Sequence, residues 1–80
     1  MRASDSERAE LARSMRRALE RSGASARQAS AAVGCSHSTM SRYLSGLIVP
    51  DALSLRDFAA FAGVEIGDLL APLEGSRRTD

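Results

Sequence analysis

The chain has 80 residues, 44% hydrophobic and 4% aromatic, with one Cys, one His and a net charge of +1. A chain this short hides only about 60% of its unfolded surface, so one small core fits and a catalytic cleft between two domains is excluded. The lone Cys35 excludes an internal disulfide and a cysteine-only metal site, and the scarcity of rings favours aliphatic helices over a sheet sandwich.

No apolar run approaches the ~18 residues of a membrane span, and the N-terminal stretch lacks a signal-peptide apolar segment, so a cytoplasmic location is expected. Charge is unevenly spread. Residues 1–50 hold eight Arg against four acidic residues, a net of +4, whereas residues 51–80 hold three Arg against six, a net of −3. One basic working face would give this asymmetry, and so would ordinary solvated helix faces.

In chain order, residues 5–22 place Leu11, Met15, Ala18 and Leu19 at helical spacing, and Gly23 ends that helix. Arg13, Arg16 and Arg17 lie elsewhere around it, either flanking phosphates or, as is usual on an exposed helix face, solvated or paired with Glu10 or Glu20. Ser25 with Gln28 forms a capping box for a short second helix that Gly34 stops after Val33. Ser36 caps a third helix from His37 to about Leu44, ended by Gly46. Leu47-Ile48-Val49-Pro50 is expected to be extended, because proline disfavours helix in the residue before it. A fourth helix starts at 52–54 and carries Leu55, Phe58, Ala59, Phe61 and Ala62 to Gly63. A fifth is expected from Ile66 to about Leu70, ending before Pro72, with a polar, frayed tail over 74–80. The expectation is an all-α domain of five short helices, with its core over about 8–73.

The segment 25–46, SARQASAAVGCSHSTMSRYLSG, carries the functional information. Two short helices meet at Gly34-Cys35-Ser36. Ala29 and Val33 are small or apolar on the inner side of the first, Cys35 fills the turn, and Met40 and Tyr43 face inward from the second. Gly34 supplies the positive φ that other residues resist. This is a helix-turn-helix pattern.

Residues 11–70, about three-quarters of the chain, resemble the lambda-repressor and Cro-like family, also called the XRE family. The matching stretches are ASARQASAAVGCS and HSTMSRYLSG, in register and without a gap. Pro50 then falls where that family has its loop proline, and FAAFAGVEIGDLL follows the family's closing helix pattern. The resemblance implies a compact five-helix fold and sequence-specific binding of double-stranded DNA as a transcriptional regulator, bacterial or phage-borne and nucleoid-associated. The third helix would lie in the major groove. His37, Ser38, Ser41 and Arg42, which spacing turns away from the Met40/Tyr43 side, would read bases. Arg42 suits a bidentate contact to guanine, and His37 donates or accepts according to its tautomer. By the same resemblance Ser25, Ala26, Arg27, Thr39, Ser45 and Gly46 would lie at the DNA backbone.

Two departures stand out. Ala26 occupies a position where the family often has a polar phosphate clamp, and Leu47-Ile48-Val49 replaces a loop that is often basic. Both predict weaker sequence-independent affinity and a shallower salt dependence. One or two of Leu47, Ile48 and Val49 either complete a thin core under the fourth helix or form a partner surface. Four base-reading side chains are few for tight binding by one copy, so a homodimer on an inverted repeat is expected, with Leu47–Val49 or the last helix (Ile66, Leu69, Leu70, Leu73) as the seam. With no room for a separate sensing domain, any switch is expected to act through occupancy, abundance or a partner.

Other chemistries fare worse. Cys35 and His37 are too few for a metal site, and one facing in while the other faces out makes no nucleophilic pair. Asp57, Glu65 and Asp68 fall on helix surfaces without an opposing partner. No enzyme activity, metal, cofactor or small-molecule ligand is expected. The alternative function is an antitoxin-like or adaptor protein that uses the same fold to bind another protein. An architectural DNA binder without sequence preference is disfavoured by the low net charge and the absence of Lys.

Overall fold

The computed structural model describes residues 4–77, with side chains described as far as Leu73. Helix α1 (Asp5–Ser22) opens on Ser4, whose hydroxyl accepts from the Glu7 amide at 3.1 Å while the Glu7 carboxylate accepts from the Ser4 amide at 3.0 Å. This reciprocal box satisfies two amides that a helix start leaves without partners. The apolar stripe Leu11, Met15, Ala18 and Leu19 is buried as its spacing predicts.

Helices α2 (Ala26–Val33), α3 (His37–Ser45), α4 (Ala52–Ala62) and α5 (Ile66–Arg77) complete the domain; no strand occurs among the described residues. The first four elements begin and end within a residue or two of the sequence expectation. Helix α1 packs along α5 and α3, and α2 packs on α4 and α3, so one core lies between the long outer helices and the short pair. Its most deeply buried large side chains are Phe58, Met15, Met40 and Leu69. Each contributes about 1.5–3 kcal/mol by leaving water.

The connection from α3 to α4 turns on Gly46, at φ +83°. A methyl group there would lie 3.4 Å from the Arg8 carbonyl oxygen and 3.6 Å from the Ala12 Cβ. The space admits it; the left-handed backbone resists it. Pro50 is buried, and Leu47, Ile48 and Val49 are not: they are 69%, 40% and 45% exposed. Proline, rather than the three aliphatic residues before it, fills the space ahead of α4.

The last helix departs from expectation. It does not stop before Pro72 but continues through it to Arg77. A proline deletes one backbone hydrogen bond and crowds the preceding turn, yet Ile66, Leu69, Leu70 and Leu73 continue the helical stripe on both sides of it, and all four pack on the core. Packing against α1 therefore overrides the local preference. The frayed tail expected over 74–80 is helical in its backbone to residue 77; residues 78–80 lie outside the described residues.

Candidate nucleic-acid interface

Helices α2 and α3 are short, so their ends matter most. Ser25 caps α2 with a second reciprocal box: its hydroxyl accepts from the Gln28 amide at 3.1 Å, and its own amide donates to Gln28 Oε1 at 2.9 Å. The helix stops at Gly34, φ +83°, where the amides of Gly34 and Cys35 both donate to the Ser30 carbonyl, at 2.9 and 3.0 Å. This left-handed glycine turns the chain sharply into Ser36. Ser36 then caps α3, accepting from the Thr39 amide at 3.0 Å, and its hydroxyl meets Thr39 Oγ1 at 3.0 Å. Neither helix has to run far for the pair to be fixed, since both ends of the turn between them are capped.

Buried contacts seat the pair. Ala29 and Met40 have no exposed surface, and Val33, Cys35, Tyr43 and Leu44 pack around them half-buried. A guanidinium NH group of Arg16 on α1 donates to the Leu44 carbonyl near the C-terminus of α3, where a cation is favoured by the helix dipole as well as by the hydrogen bond. This tether, across 28 residues, has no signature in the sequence, where Arg16 is expected to flank phosphates, to be solvated or to pair with an acid. Arg13 behaves as the solvated alternative does, lying 3.7 Å from Glu10.

With the inner side of α3 occupied, its other side is open. His37, Ser38, Ser41 and Arg42 are all exposed, and together they line one face of α3. Arg42 has no ion-pair partner among the described residues, nor has Arg27. Ser25 and Arg27 are exposed at the start of α2, and Ala26 is half-buried against the core. Thr39 is half-buried, and Ser45 is exposed with its hydroxyl donating to the Arg42 carbonyl at 3.2 Å. Gly46 is different. Its amide donates to the carbonyls of Arg42 and Tyr43, and the residue lies against α1.

A family model for the helix-turn-helix domain matches residues 10–73. The chain belongs to the helix-turn-helix domain family. The match covers α2, the turn and α3 together with the helices that support them, and it accords with the lambda-repressor-like resemblance over 11–70. No curated protein and no solved structure matches the chain significantly. Helix-turn-helix domains are DNA-binding units as a class, and in this chain α2 and α3 are the two helices of the motif.

The apolar surface of this helix-turn-helix domain needs correction in two places. Leu69, expected at a seam, is only 2% exposed and belongs to the core; Leu73, Leu70 and Ile66 are half-buried against that core. Leu53 on α4 is 61% exposed and extends the apolar character of Leu47–Val49. Its position off the Leu55/Phe58/Ala59/Ala62 stripe is a signal the sequence did contain. Among the described residues no helix is long and apolar enough to cross a membrane, and no group of three His, Cys, Asp or Glu side chains is gathered for a metal ion.

Proposed function

We propose that this helix-turn-helix domain is a sequence-specific, double-stranded DNA-binding transcriptional regulator of the repressor or Cro-like kind, acting in the cytoplasm of a bacterium or on behalf of a phage. The observation that carries the reading is the two-sidedness of α3: Met40 fully buried, with His37, Ser38, Ser41 and Arg42 exposed on the opposite face. A helix fixed from behind presents its polar face in one orientation, and base discrimination requires that fixity. Arg42 takes the guanine contact, His37 a second base edge, and Ser38 and Ser41 adapt to their neighbours. Ser25, Ala26, Arg27, Thr39 and Ser45 hold the backbone around them, the amides at the start of α2 being suited to phosphate. Gly46 contributes through the shape of the turn, since its amide is engaged within the chain.

Two copies bind an inverted repeat. One copy offers only four base-reading side chains, and two-fold pairing places half-sites about one helical turn apart, 34–36 Å. Leu47, Ile48 and Val49 follow shortly after α3 and supply the apolar seam, and Leu53, in the first turn of α4, is exposed as they are.

Selection of bound duplexes from a random pool at physiological salt tests the proposal. An enriched inverted repeat supports the dimeric regulator. A single unrepeated motif overturns the dimer and retains the reader. No enrichment by a folded sample overturns both and favours the second reading, an antitoxin-like or adaptor protein, for which the exposure of Leu47 and Leu53 is the supporting observation.

A further inference from the structure

Arginine side chains gather on the flank of the domain in a way the base-reading face does not use. A cleft of about 420 Å³ is lined by Arg13, Arg16 and Arg17 of α1, by Ala24 just ahead of α2, and by Leu44 in the last turn of α3, with Glu20 as its one lining carboxylate. All three arginines are exposed. Arg17 has no hydrogen-bond or ion-pair partner among the described residues, and Arg16 is already held on the Leu44 carbonyl. Arg13 shares its charge with Glu10 at 3.7 Å, outside the cleft lining, so three arginines stand against two carboxylates and the balance stays positive; the forked guanidinium donors suit phosphate oxygens.

The position of the cleft selects which phosphate. Leu44 follows Ser41 by three residues, so it lies one turn along the same edge of α3. Ala24 adjoins Ser25, where the amides of Ala26 and Arg27 have no acceptor among the described residues. The cleft thus opens beside the reading face and next to the start of α2. When α3 lies in a major groove about 12 Å wide, what stands at its flank is the sugar-phosphate wall of that groove.

We propose that the Arg13/Arg16/Arg17 cleft receives a phosphodiester of the DNA backbone, and that Arg16 bridges this phosphate to the C-terminal end of α3. The inference rests on the DNA-reading function. It adds a backbone contact on α1, outside the helix-turn-helix, and it makes Arg16 a positioning residue for the reading helix. A guanidinium that donates to Leu44 with one nitrogen retains donors for phosphate on the others. Backbone engagement and helix placement then act through one side chain.

The test uses the full 80-residue chain and a duplex carrying its selected site, with affinity measured across a salt series. The Arg13→Gln/Arg17→Gln double variant should lower the slope of log affinity against log salt by as much as about 0.9, the share of one phosphate, weakening selected and unrelated duplexes by the same factor and leaving the selected motif unchanged. Neutral methylphosphonate placed singly along each strand should find a position that weakens the native chain but not the R13Q/R17Q double variant. Arg16→Gln should lower the slope and also narrow the ratio between selected and unrelated duplexes; a purely structural Arg16 would lower the melting temperature without changing the slope. Arg42→Ala is the control for the reading itself, since it alters motif preference.

A native slope in a folded R13Q/R17Q chain that still binds the selected site would overturn the cleft and leave the reading intact. Failure of the native chain to bind any duplex overturns both. Inorganic pyrophosphate distinguishes the remaining source. If it raises the melting temperature of the native chain but not of the R13Q/R17Q variant, while that variant keeps the native salt slope on DNA, the cleft holds a small anion and the backbone contact is overturned.

Discussion

Met40 and Arg42 stand two residues apart on α3 and divide the labour of that helix. Met40 is fully buried; Met40→Ala removes most of a side chain from a core with little capacity to collapse around the gap, and should cost about 2–5 kcal/mol. For a domain of this size that lowers the melting temperature by roughly 4–8 °C per kcal/mol, readable by circular dichroism. Arg42 is exposed and carries no ion pair among the described residues. Arg42→Ala should leave the melting temperature within about 2–4 °C of native, as the ±0.5 kcal/mol typical of surface changes implies, and lower discrimination for the selected site by about 1–3 kcal/mol. A large stability loss from Arg42→Ala would show that its side chain holds the fold. The residue scale is also where sequence reading has its clearest limit. The inward stripe Leu11, Met15, Ala18, Leu19 follows from spacing alone, because every member lies on one helix. The Arg16–Leu44 hydrogen bond joins residues 28 apart, and no local pattern indicates which carbonyl a long side chain will meet once the helices pack.

At the scale of elements, local chemistry determined most boundaries. Ser4, Ser25 and Ser36 each accept from an amide three residues on, and glycines at positive φ close the first four helices. The caps at Ser25 and Ser36 are legible because their donors and acceptors are near neighbours in sequence; the Ser4 box has the same spacing but is a finding of the structure. The extent of helix α5 is not legible, since its continuation through Pro72 depends on packing against α1, a long-range effect. Leu69, expected at a dimer seam, is 2% exposed, and no local pattern separates an apolar helix face that meets the core from one that meets a partner. The caps also permit a sharp test. Ser36→Ala removes the bond to the Thr39 amide and should destabilise the domain by about 0.5–2 kcal/mol. The loss falls on the first turn of α3, where His37 and Ser38 sit, so Ser36→Gly, which costs only a few tenths of a kcal/mol, should retain more site affinity than Ser36→Ala. Equal affinities for the two would mean that the cap does not hold the reading end of α3 in place. At the other end of the helix, Gly46→Ala must place a side chain at φ +83°. The expected cost is about 1–2 kcal/mol, seen as a lower midpoint in urea with unchanged slope.

For the whole molecule, the question is what the exposed apolar strip covers. Leu47, Ile48, Val49 and Leu53 are each 40% exposed or more, although the same chain buries Pro50 and Leu55 a few residues away. Four exposed large aliphatic side chains within seven residues of sequence weaken the solubility of a lone domain unless something covers them. If a second copy covers them, the strips of two domains meet about a two-fold axis and each residue faces the same surface of its partner. The Ile48→Ser/Val49→Ser double variant then remains folded, because neither side chain belongs to the core. It sediments as a monomer on DNA, and its affinity for the inverted repeat falls toward that for an isolated half-site. Preference for the half-site sequence itself stays native, since Arg42 and His37 are untouched. If a different protein covers the strip, the same variant binds the inverted repeat as the native chain does, and the dimer is placed elsewhere on the molecule. Sedimentation with half-site and full-site duplexes separates the two, because only pairing through Leu47–Val49 makes occupancy of the second half-site depend on residues that touch no DNA.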